Sequence, residues 1–197
     1  MNIIQEILYL LMFFISRFLS YIPLFRTYFE KEPKLKYKPN ENFIVSPASG
    51  KITNISEDSN YIKIYIFIGL FDSHIQYYPF SGKIAKIQHS EGKPLEILNF
   101  SMQYPAYSVK SANNEMVTTF MYNKLVGNII ITQIAGILAN RIENNSEVNS
   151  EVSQGEKLGR IIMGSSVILY VEKVKVKIIV NNGDKVLSLQ PILKLNG

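Results

Sequence analysis

Short runs of β-branched and aromatic residues, separated by turns rich in Pro, Gly and Asn, recur along this chain and constrain its fold more than any other feature. Residues 61–68 read YIKIYIFI, in which every second residue is isoleucine, the pattern of a strand with one buried face. Residues 47–50, 79–82 and 181–184 read PASG, PFSG and NNGD, compositions typical of chain reversals. The sequence therefore predicts the α+β class, mostly β, with a single β-rich domain.

Further strands are predicted wherever β-branched and aromatic residues alternate or run together. The additional predicted strands are 51–55, 83–88, 116–122, 128–134, 167–171, 174–180 and 186–189. Residues 135–142 are ambiguous, because they are apolar and short with Gly136 inside, and the polar residues 143–154 predict a loop. His89 lies in a turn-like stretch, which predicts a solvent-facing side chain.

The N-terminal segment, residues 1–27, is far more apolar than the rest of the chain and predicts an amphipathic helix. Its polar residues fall within an arc of roughly 120° on a helical projection, and they are Asn2, Gln5, Glu6, Ser16, Arg17 and Ser20. Charges at Glu6 and Arg17 disfavour a helix that spans a bilayer. We expect the helix to lie in the membrane interface, while packing on the protein's own core or on a partner is the competing interpretation.

Charge and residue usage narrow the classes of partner. The net charge is +5, which suits nucleic acid or an anionic membrane surface. Basic residues form no cluster interleaved with aromatics, so no nucleic-acid partner is expected. The chain has no Cys and only two His, so neither thiolate chemistry nor a metal site is expected. The expected location is the cell membrane, peripheral or monotopic, on its cytoplasmic side.

A Gly-Ser pair near the C-terminus is the strongest candidate for chemistry. Gly164 and Ser165 stand between two apolar runs. Glycine permits backbone conformations that other residues resist, and the serine hydroxyl is a weak nucleophile that needs a neighbouring base. His74 is the obvious candidate for that base, because an unperturbed histidine titrates near working pH.

Several stretches, taken in chain order, resemble the short-chain phosphatidylserine decarboxylases. Residues 29–33 read FEKEP, similar to Phe-Phe-Arg-Asp-Pro; residues 45–52 read VSPASGKI, similar to Val-Ser-Pro-Ala-Asp-Gly-Lys-Val; and residues 71–82 read FDSHIQYYPFSG, similar to a stretch with a His-Val-Asn core before Pro-x-x-Gly. Asn114-Glu115, the run 133–136 with Arg141, and the Gly164-Ser165 stretch complete the set. Their order and spacing agree with the family from about residue 29 to the end.

The resemblance implies an enzyme that makes its own cofactor. It implies self-cleavage between Gly164 and Ser165, after which Ser165 becomes a covalent pyruvoyl group, an electron sink like pyridoxal phosphate. The large chain 1–164 and the small chain 165–197 would stay associated. The implied reaction is decarboxylation of phosphatidylserine to phosphatidylethanolamine, with an ether analogue such as archaetidylserine left open.

In domain terms, a membrane-associated helix over residues 1–27 would precede a decarboxylase-like domain over residues 28–197. The implied partners are a phospholipid substrate and a membrane surface, and a homo-oligomer is allowed. A carrier domain of the lipoyl type, suggested by two of the turns, ranks low because no exposed lysine at a hairpin tip is identified.

Two positions depart from the family pattern. The family's Asp in Pro-Ala-Asp-Gly pairs with a His and the cleavage Ser, and it is Ser49 here, which removes the group that would orient the histidine. The third position after His74, often His or Arg in relatives, is Tyr77. Asp72 is a candidate to compensate, since on a strand it would share a face with His74. Ser49 also motivates the alternative of a non-catalytic, membrane-bound relative that has lost self-processing.

Three further positions are candidates for supporting roles. Asn114 and Glu115 either support the site or only fix a loop. Arg141 is a candidate for phosphate binding, and, like Gln133, it can also be purely structural.

Overall fold

A computed structural model of the chain describes residues 32–92, 95–97, 100–102, 109–136, 142–161 and 164–196, together with nine positions between Ile7 and Thr27. The predicted helix over residues 1–27 falls largely outside the described residues, and it stays a prediction, although the nine described positions are helical. Among the described residues, no helix has both the length and the apolar character needed to cross a bilayer.

Strands dominate the described part of the chain, which confirms the expectation of a mostly β domain. They are β1 (Phe43–Val45), β2 (Gly50–Glu57), β3 (Tyr61–Ile68), β4 (Ile75–Tyr77), β5 (Gly82–Ser90), β6 (Leu95–Ile97), β7 (Phe100–Met102), β8 (Met116–Asn123), β9 (Gly127–Ala135), β10 (Ile142–Asn144), β11 (Glu151–Val152), β12 (Lys157–Ile161), β13 (Ser165–Glu172), β14 (Val176–Ile178), β15 (Lys185–Val186) and β16 (Pro191–Leu195). Two short 3-10 helices span Val109–Asn113 and Lys173–Lys175.

An eight-stranded antiparallel sheet organises the domain, in the order β11-β5-β8-β9-β13-β3-β2-β15. β13 lies in its interior, paired with β9 on one side and with β3 on the other. Two three-stranded sheets, β1-β16-β14 and β10-β12-β4, and the β6-β7 pair complete the described strands. The strand that begins at Ser165 therefore has neighbours on both edges, and its backbone groups are satisfied by regular pairing.

One face of the large sheet carries the hydrophobic core. The alternation in β3 buries its four isoleucines, and Val167 of β13 packs with them. Leu193 of β16 belongs to the same cluster, while Ile161 of β12 packs near the end of β9 against Ala135. Both small sheets therefore cover the same face, and each isoleucine buried there contributes about 1.5–3 kcal/mol.

The opposite face of the large sheet forms an open groove of ≈ 760 Å³. Thr132, Ile134, Ser166 and Ile168 are among its lining residues. Because successive side chains of a strand point to opposite faces, Ser166 faces this groove while Ser165 faces the core.

Most of the predicted strands are confirmed, but two near the C-terminus are shorter than expected. Of the predicted strand 174–180, only Val176–Ile178 is a strand, and a 3-10 helix precedes it. Residues 187–189 are not a strand, because Leu189 has a φ of 65° and the chain turns there. An apolar run therefore overstates strand length where the chain bends to begin another sheet.

The predictions for two polar stretches are wrong. The predicted loop 143–154 contains most of β10 and all of β11, which are held by pairing with β12 and β5 rather than by an apolar pattern. His89 lies in β5 and not in a turn, although its side chain is exposed as expected. Its Nε2 lies 3.1 Å from Glu115 Oε1.

Candidate active site

Ser165 is the first residue of β13, and its side chain is fully buried on the core face of the large sheet. Its Oγ has no hydrogen-bond partner in the described part of the chain. Burying a hydroxyl without a partner costs about 1–3 kcal/mol, and native proteins keep few such groups. The fold therefore keeps a buried hydroxyl at this position despite its cost in folding free energy.

Gly164 sets the conformation of the peptide bond before that serine. Its φ is +69°, in the left-handed region that favours glycine. A Cβ built on Gly164 would meet nothing within 4 Å. Glycine is thus required at this position by backbone conformation and not by lack of space.

His74 lies immediately before β4, is 2% exposed and reaches the same peptide segment. Its Nδ1 lies 2.8 Å from the carbonyl oxygen of Asp72, and the N–H of Gly164 donates to Nε2 at 3.4 Å. Because a carbonyl only accepts, Nδ1 carries the proton and Nε2 presents its lone pair toward Gly164.

The protonation state of His74 follows from its surroundings. Burial lowers the pKa of His74 below its ordinary 6.5, against the opposing effects of the Asp72 carbonyl and charge. The imidazole is therefore neutral at pH 7, with the unprotonated Nε2 turned toward the Gly-Ser pair, which is the state that a general base requires.

The segment that leads to Ser165 is attached to His74 at two points. The N–H of Ile161, at the end of β12, donates to the His74 carbonyl at 3.2 Å. Three residues later the N–H of Gly164 reaches the ring. These two contacts hold the histidine beside the predicted cleavage site.

Asp72 lies in a turn and not on a strand, which corrects the expectation that it shares a strand face with His74. Its carboxylate accepts the N–H of Gly69 at 3.0 Å and lies 3.2 Å from Lys185 Nζ. The bond to the His74 ring comes instead from the main-chain carbonyl of Asp72. The ring is thus oriented by a backbone oxygen and not by the Asp72 carboxylate.

Ser49 takes part in a different hydrogen-bonded group. Its Oγ accepts the N–H of Ser188 at 2.9 Å and lies 3.0 Å from Ser188 Oγ. Both serines are buried, and their bonds join the turn before β2 to the turn after β15. In its present form Ser49 therefore stabilises the junction of two turns.

Tyr77 fills an apolar cluster with Val45, Ile75 and Leu189. Burial raises the pKa of the Tyr77 hydroxyl, and the charge of Glu32 adds to that shift. The hydroxyl therefore stays protonated at working pH.

Asn114 and Glu115 support the strand beside Ser165. Asn114 Nδ2 donates to the carbonyl of Ala135 at 2.6 Å, and the Glu115 carbonyl accepts the N–H of Ala135 at 3.0 Å. Ala135 is the register partner of Ser165 in the sheet. Arg141, the candidate for phosphate binding, lies outside the described residues.

A hydrogen-bonded chain of amide side chains lies next to His74, with Gln76 and Gln133 buried and Asn144 half-buried, and the sequence did not indicate it. It runs from Gln76 through Gln133 to Asn144, and each member hydrogen-bonds the next. The only signal for it in the sequence is an amide inside an otherwise apolar strand, as in the NIIITQIA run of β9.

The candidate site is therefore one peptide bond in a mostly β domain, flanked by a buried serine, a left-handed glycine and a neutral histidine. The chain belongs to the phosphatidylserine decarboxylase family, whose sequence profile, described as phosphatidylserine decarboxylase, matches residues 22–194. The resemblance read from the motifs is therefore confirmed, and the family is one of decarboxylases.

Individual relatives agree with this assignment. A Methanosarcina mazei protein named as a candidate archaetidylserine decarboxylase proenzyme is 33% identical over 84% of this chain and 72% of its own length. The phosphatidylserine decarboxylase proenzyme of Pelagibacter ubique is 31% identical over 86% of this chain and 80% of its own. That of Syntrophus aciditrophicus is 32% identical, with 83% and 76% covered.

Proposed function

We propose that this protein decarboxylates phosphatidylserine to phosphatidylethanolamine, using a pyruvoyl group made from Ser165 by self-cleavage at Gly164-Ser165. The observation that carries the proposal is the Oγ of Ser165, buried without a partner among the described residues. A left-handed glycine precedes it, and the neutral Nε2 of His74 lies at that glycine. Family membership supports the decarboxylase activity.

Cleavage begins with attack by Ser165 Oγ on the carbonyl carbon of Gly164. His74 Nε2 accepts the hydroxyl proton and passes it to the Ser165 nitrogen as the peptide C–N bond breaks, which leaves an ester. The Gly164 N–H bond to Nε2, at 3.4 Å, is at the long limit of such bonds and is readily exchanged for the serine hydroxyl.

The ester then eliminates. Loss of the Ser165 α-proton and rupture of its Cβ–Oγ bond release Gly164 as a carboxylate and leave a dehydroalanine, which tautomerises to an imine. Water adds and ammonia leaves, so that residue 165 ends as a pyruvoyl terminus. Once formed, this group would supply a conjugated carbonyl that stabilises the electron pair left on the substrate carbon when carbon dioxide departs.

His74 has a second use in the decarboxylation. The carbon that loses carbon dioxide must gain a proton. The Nε2 of neutral His74 takes up the proton that the substrate ammonium gives up, and then donates it to that carbon. Its Nδ1–H bond to the Asp72 carbonyl keeps Nε2 turned toward the site.

Intact-mass analysis tests the proposal. The expected result is two chains, 1–164 and 165–197, with the second beginning in a pyruvoyl group, and release of carbon dioxide from vesicles that contain phosphatidylserine. Parallel vesicles with archaetidylserine identify the preferred lipid backbone. A single uncut species of 22.5 kDa would contradict the proposal.

We also propose that the helix over residues 1–27 holds the protein at the cytoplasmic side of the cell membrane. Six of the large apolar side chains described there leave between 48% and 69% of their surface exposed, and they are Ile7, Leu8, Leu11, Phe14, Ile15 and Phe18. Leu10 and Met12 are half-buried. An apolar surface of this kind suits the acyl region of a bilayer, in which the substrate's tails remain. Binding of the full chain to vesicles of anionic lipid, compared with a Phe14→Glu, Phe18→Glu variant, tests this.

The second candidate function is a non-catalytic relative, favoured by the hydrogen bonds that Ser49 makes with Ser188. Under the proposed function the natural chain cleaves already. Ser49→Asp is then expected to lower the free energy of unfolding by about 1–3 kcal/mol, because the carboxylate is buried. Thermal unfolding and intact mass are measured together. An inert natural chain and a cleaving Ser49→Asp variant would establish the alternative, and Ser188→Ala controls for loss of the serine pair.

The backbone of Gly164 gives a separate prediction. Gly164→Ala is expected to slow cleavage roughly 5- to 30-fold, because a Cβ strains the left-handed backbone by about 1–2 kcal/mol in space that is otherwise open. Gly183 is a matched control, with a φ of +91° and equally open space. Gly183→Ala should lose similar stability and cleave at the natural rate, as followed by intact mass over time. Equal cleavage in both variants would contradict a role for the Gly164 conformation.

A further inference from the structure

We propose that Gln133 and Gln76 are positioning residues, which fix His74 relative to Ser165 through a buried amide bridge. The proposal rests on the proposed function only because that function makes His74 the general base of self-cleavage. Gln76 lies on β4, the strand that follows His74, and Gln133 lies on β9, the strand that pairs with the strand of Ser165.

The bridge is continuous from the large sheet to the histidine. Gln133 Nε2 donates to Gln76 Oε1 at 3.0 Å, and Gln76 Nε2 donates to the main-chain carbonyl of His74 at 2.7 Å. Asn144 Nδ2, from β10, donates to Gln133 Oε1 at 2.8 Å. The small β10-β12-β4 sheet is thus joined to the large sheet by side-chain bonds directly beside the site.

The orientation of each amide is set by its neighbours. The His74 carbonyl only accepts, so Gln76 must turn its nitrogen toward it and its oxygen toward Gln133. Gln133 must then donate to Gln76 and accept from Asn144. Asn144 also donates to Thr119 Oγ1 at 3.0 Å, and its Oδ1 accepts the N–H of Ser146 at 2.9 Å. The bridge therefore has one hydrogen-bonding arrangement.

The placement of the bridge gives it a role beyond stability. Gln133 is the register partner of Val167, two residues from Ser165 and on the same face of the sheet. Gln76 and Gln133 are both fully buried, where hydrogen bonds are strong and lost partners are costly. The bridge thus ties His74 to β9, the strand with which the strand of Ser165 pairs. Displacement of either His74 or Ser165 by about 1 Å can cost 10²-fold in rate.

The test compares Gln133→Met with Thr119→Val. The first removes the bridge while roughly keeping side-chain volume. The second removes the hydrogen bonds of buried Thr119 Oγ1 with Asn144 and Ser146 at the far end of the network, again with similar shape. Thermal unfolding shows whether the two variants lose comparable stability. Gln76→Met, which breaks the bridge at its other end, is the second variant if Gln133→Met fails to fold.

A readout independent of activity comes from the imidazole signals. In the full-length Ser165→Ala chain, long-range ¹H–¹⁵N spectra contain the ring signals of two histidines, and the exposed His89 serves as the internal reference. We expect His74 to show a single Nδ1–H tautomer in the Ser165→Ala chain and with added Thr119→Val. With added Gln133→Met the His74 signals should shift or average.

In the cleavable chain, Gln133→Met should slow cleavage by about 10- to 100-fold, and Thr119→Val by less than about 3-fold. Unchanged His74 signals in both bridge variants, or equal changes in Gln133→Met and Thr119→Val, would overturn the positioning role. If the His74 signals respond as expected but the natural chain stays uncut, the positioning role is supported and the proposed function fails.

Discussion

Ser165→Ala is expected to leave the 197-residue chain uncut and without decarboxylase activity, while making it more stable than the uncut natural chain. The loss of cleavage follows because alanine has no oxygen to attack the Gly164 carbonyl. The gain in stability follows because the variant removes a buried hydroxyl that has no partner among the described residues, worth about 1–3 kcal/mol. Intact mass, carbon dioxide release and thermal unfolding measure the three effects.

Ser166→Ala is the matched control for this prediction. Ser166 adjoins Ser165 in the same strand but lines the groove on the opposite face of the sheet. Its variant should still be cut between Gly164 and residue 165. Cleavage that persists in Ser165→Ala and disappears in Ser166→Ala would move the reaction to the other serine and contradict the assignment.

His74→Gln is expected to lower the rate of self-cleavage by about 10²- to 10⁴-fold, the usual contribution of a positioned base. Glutamine keeps a polar side chain in the buried position but cannot accept the serine proton. The rate is measured as the fraction of cut chain against time. His89→Gln, which alters the exposed histidine on β5, should cleave at the natural rate. Equal rates in natural chain and His74→Gln would assign the base to another group.

The lowered pKa of His74 also predicts how stability depends on pH. The unfolded chain binds a proton on this histidine near pH 6.5, whereas the folded chain resists protonation until lower pH because the ring is buried. Stability from this group is therefore complete above pH 6.5 and declines as the pH falls below it. Denaturant unfolding of uncleavable Ser165→Ala between pH 7.5 and 5 should show this decline, and adding His74→Gln should flatten it. Parallel curves for the two chains would contradict a depressed pKa.

The strands of the large sheet are predictable from sequence because one face of each is buried and the other is not. In β3 the alternation of isoleucine with polar or aromatic residues is complete, and the predicted and observed bounds coincide. β10 and β11 carry little of that signal, since they are short and mostly polar. β10 pairs with β12, which follows after β11, and β11 pairs with the distant β5. Neither short segment carries a pattern that indicates its partner.

The candidate site, like the sheet, is only partly predictable from the sequence. Gly164, Ser165 and His74 are found by motif, because their chemistry depends on residue type. The orienting contact of Asp72 is not predictable in this way, since it is made by a main-chain carbonyl in a turn. The bridge between Gln76 and Gln133 spans 57 positions and depends on the packing of one sheet on another. Amide side chains carry no periodicity that would pair them in advance.

Under the proposed self-cleavage, the interior position of β13 gives the intact chain and the cut chain different folding kinetics. The small chain 165–197 would carry β13 in the centre of one sheet, β15 at its edge, and β14 and β16 in another. Before cleavage, folding is a unimolecular event that does not depend on protein concentration. After cleavage, reassembly from separated chains is a second-order reaction, and dilution opposes it. Under the proposed self-cleavage, the fold must therefore be complete before the peptide bond breaks, and each molecule has one covalently linked opportunity to reach it.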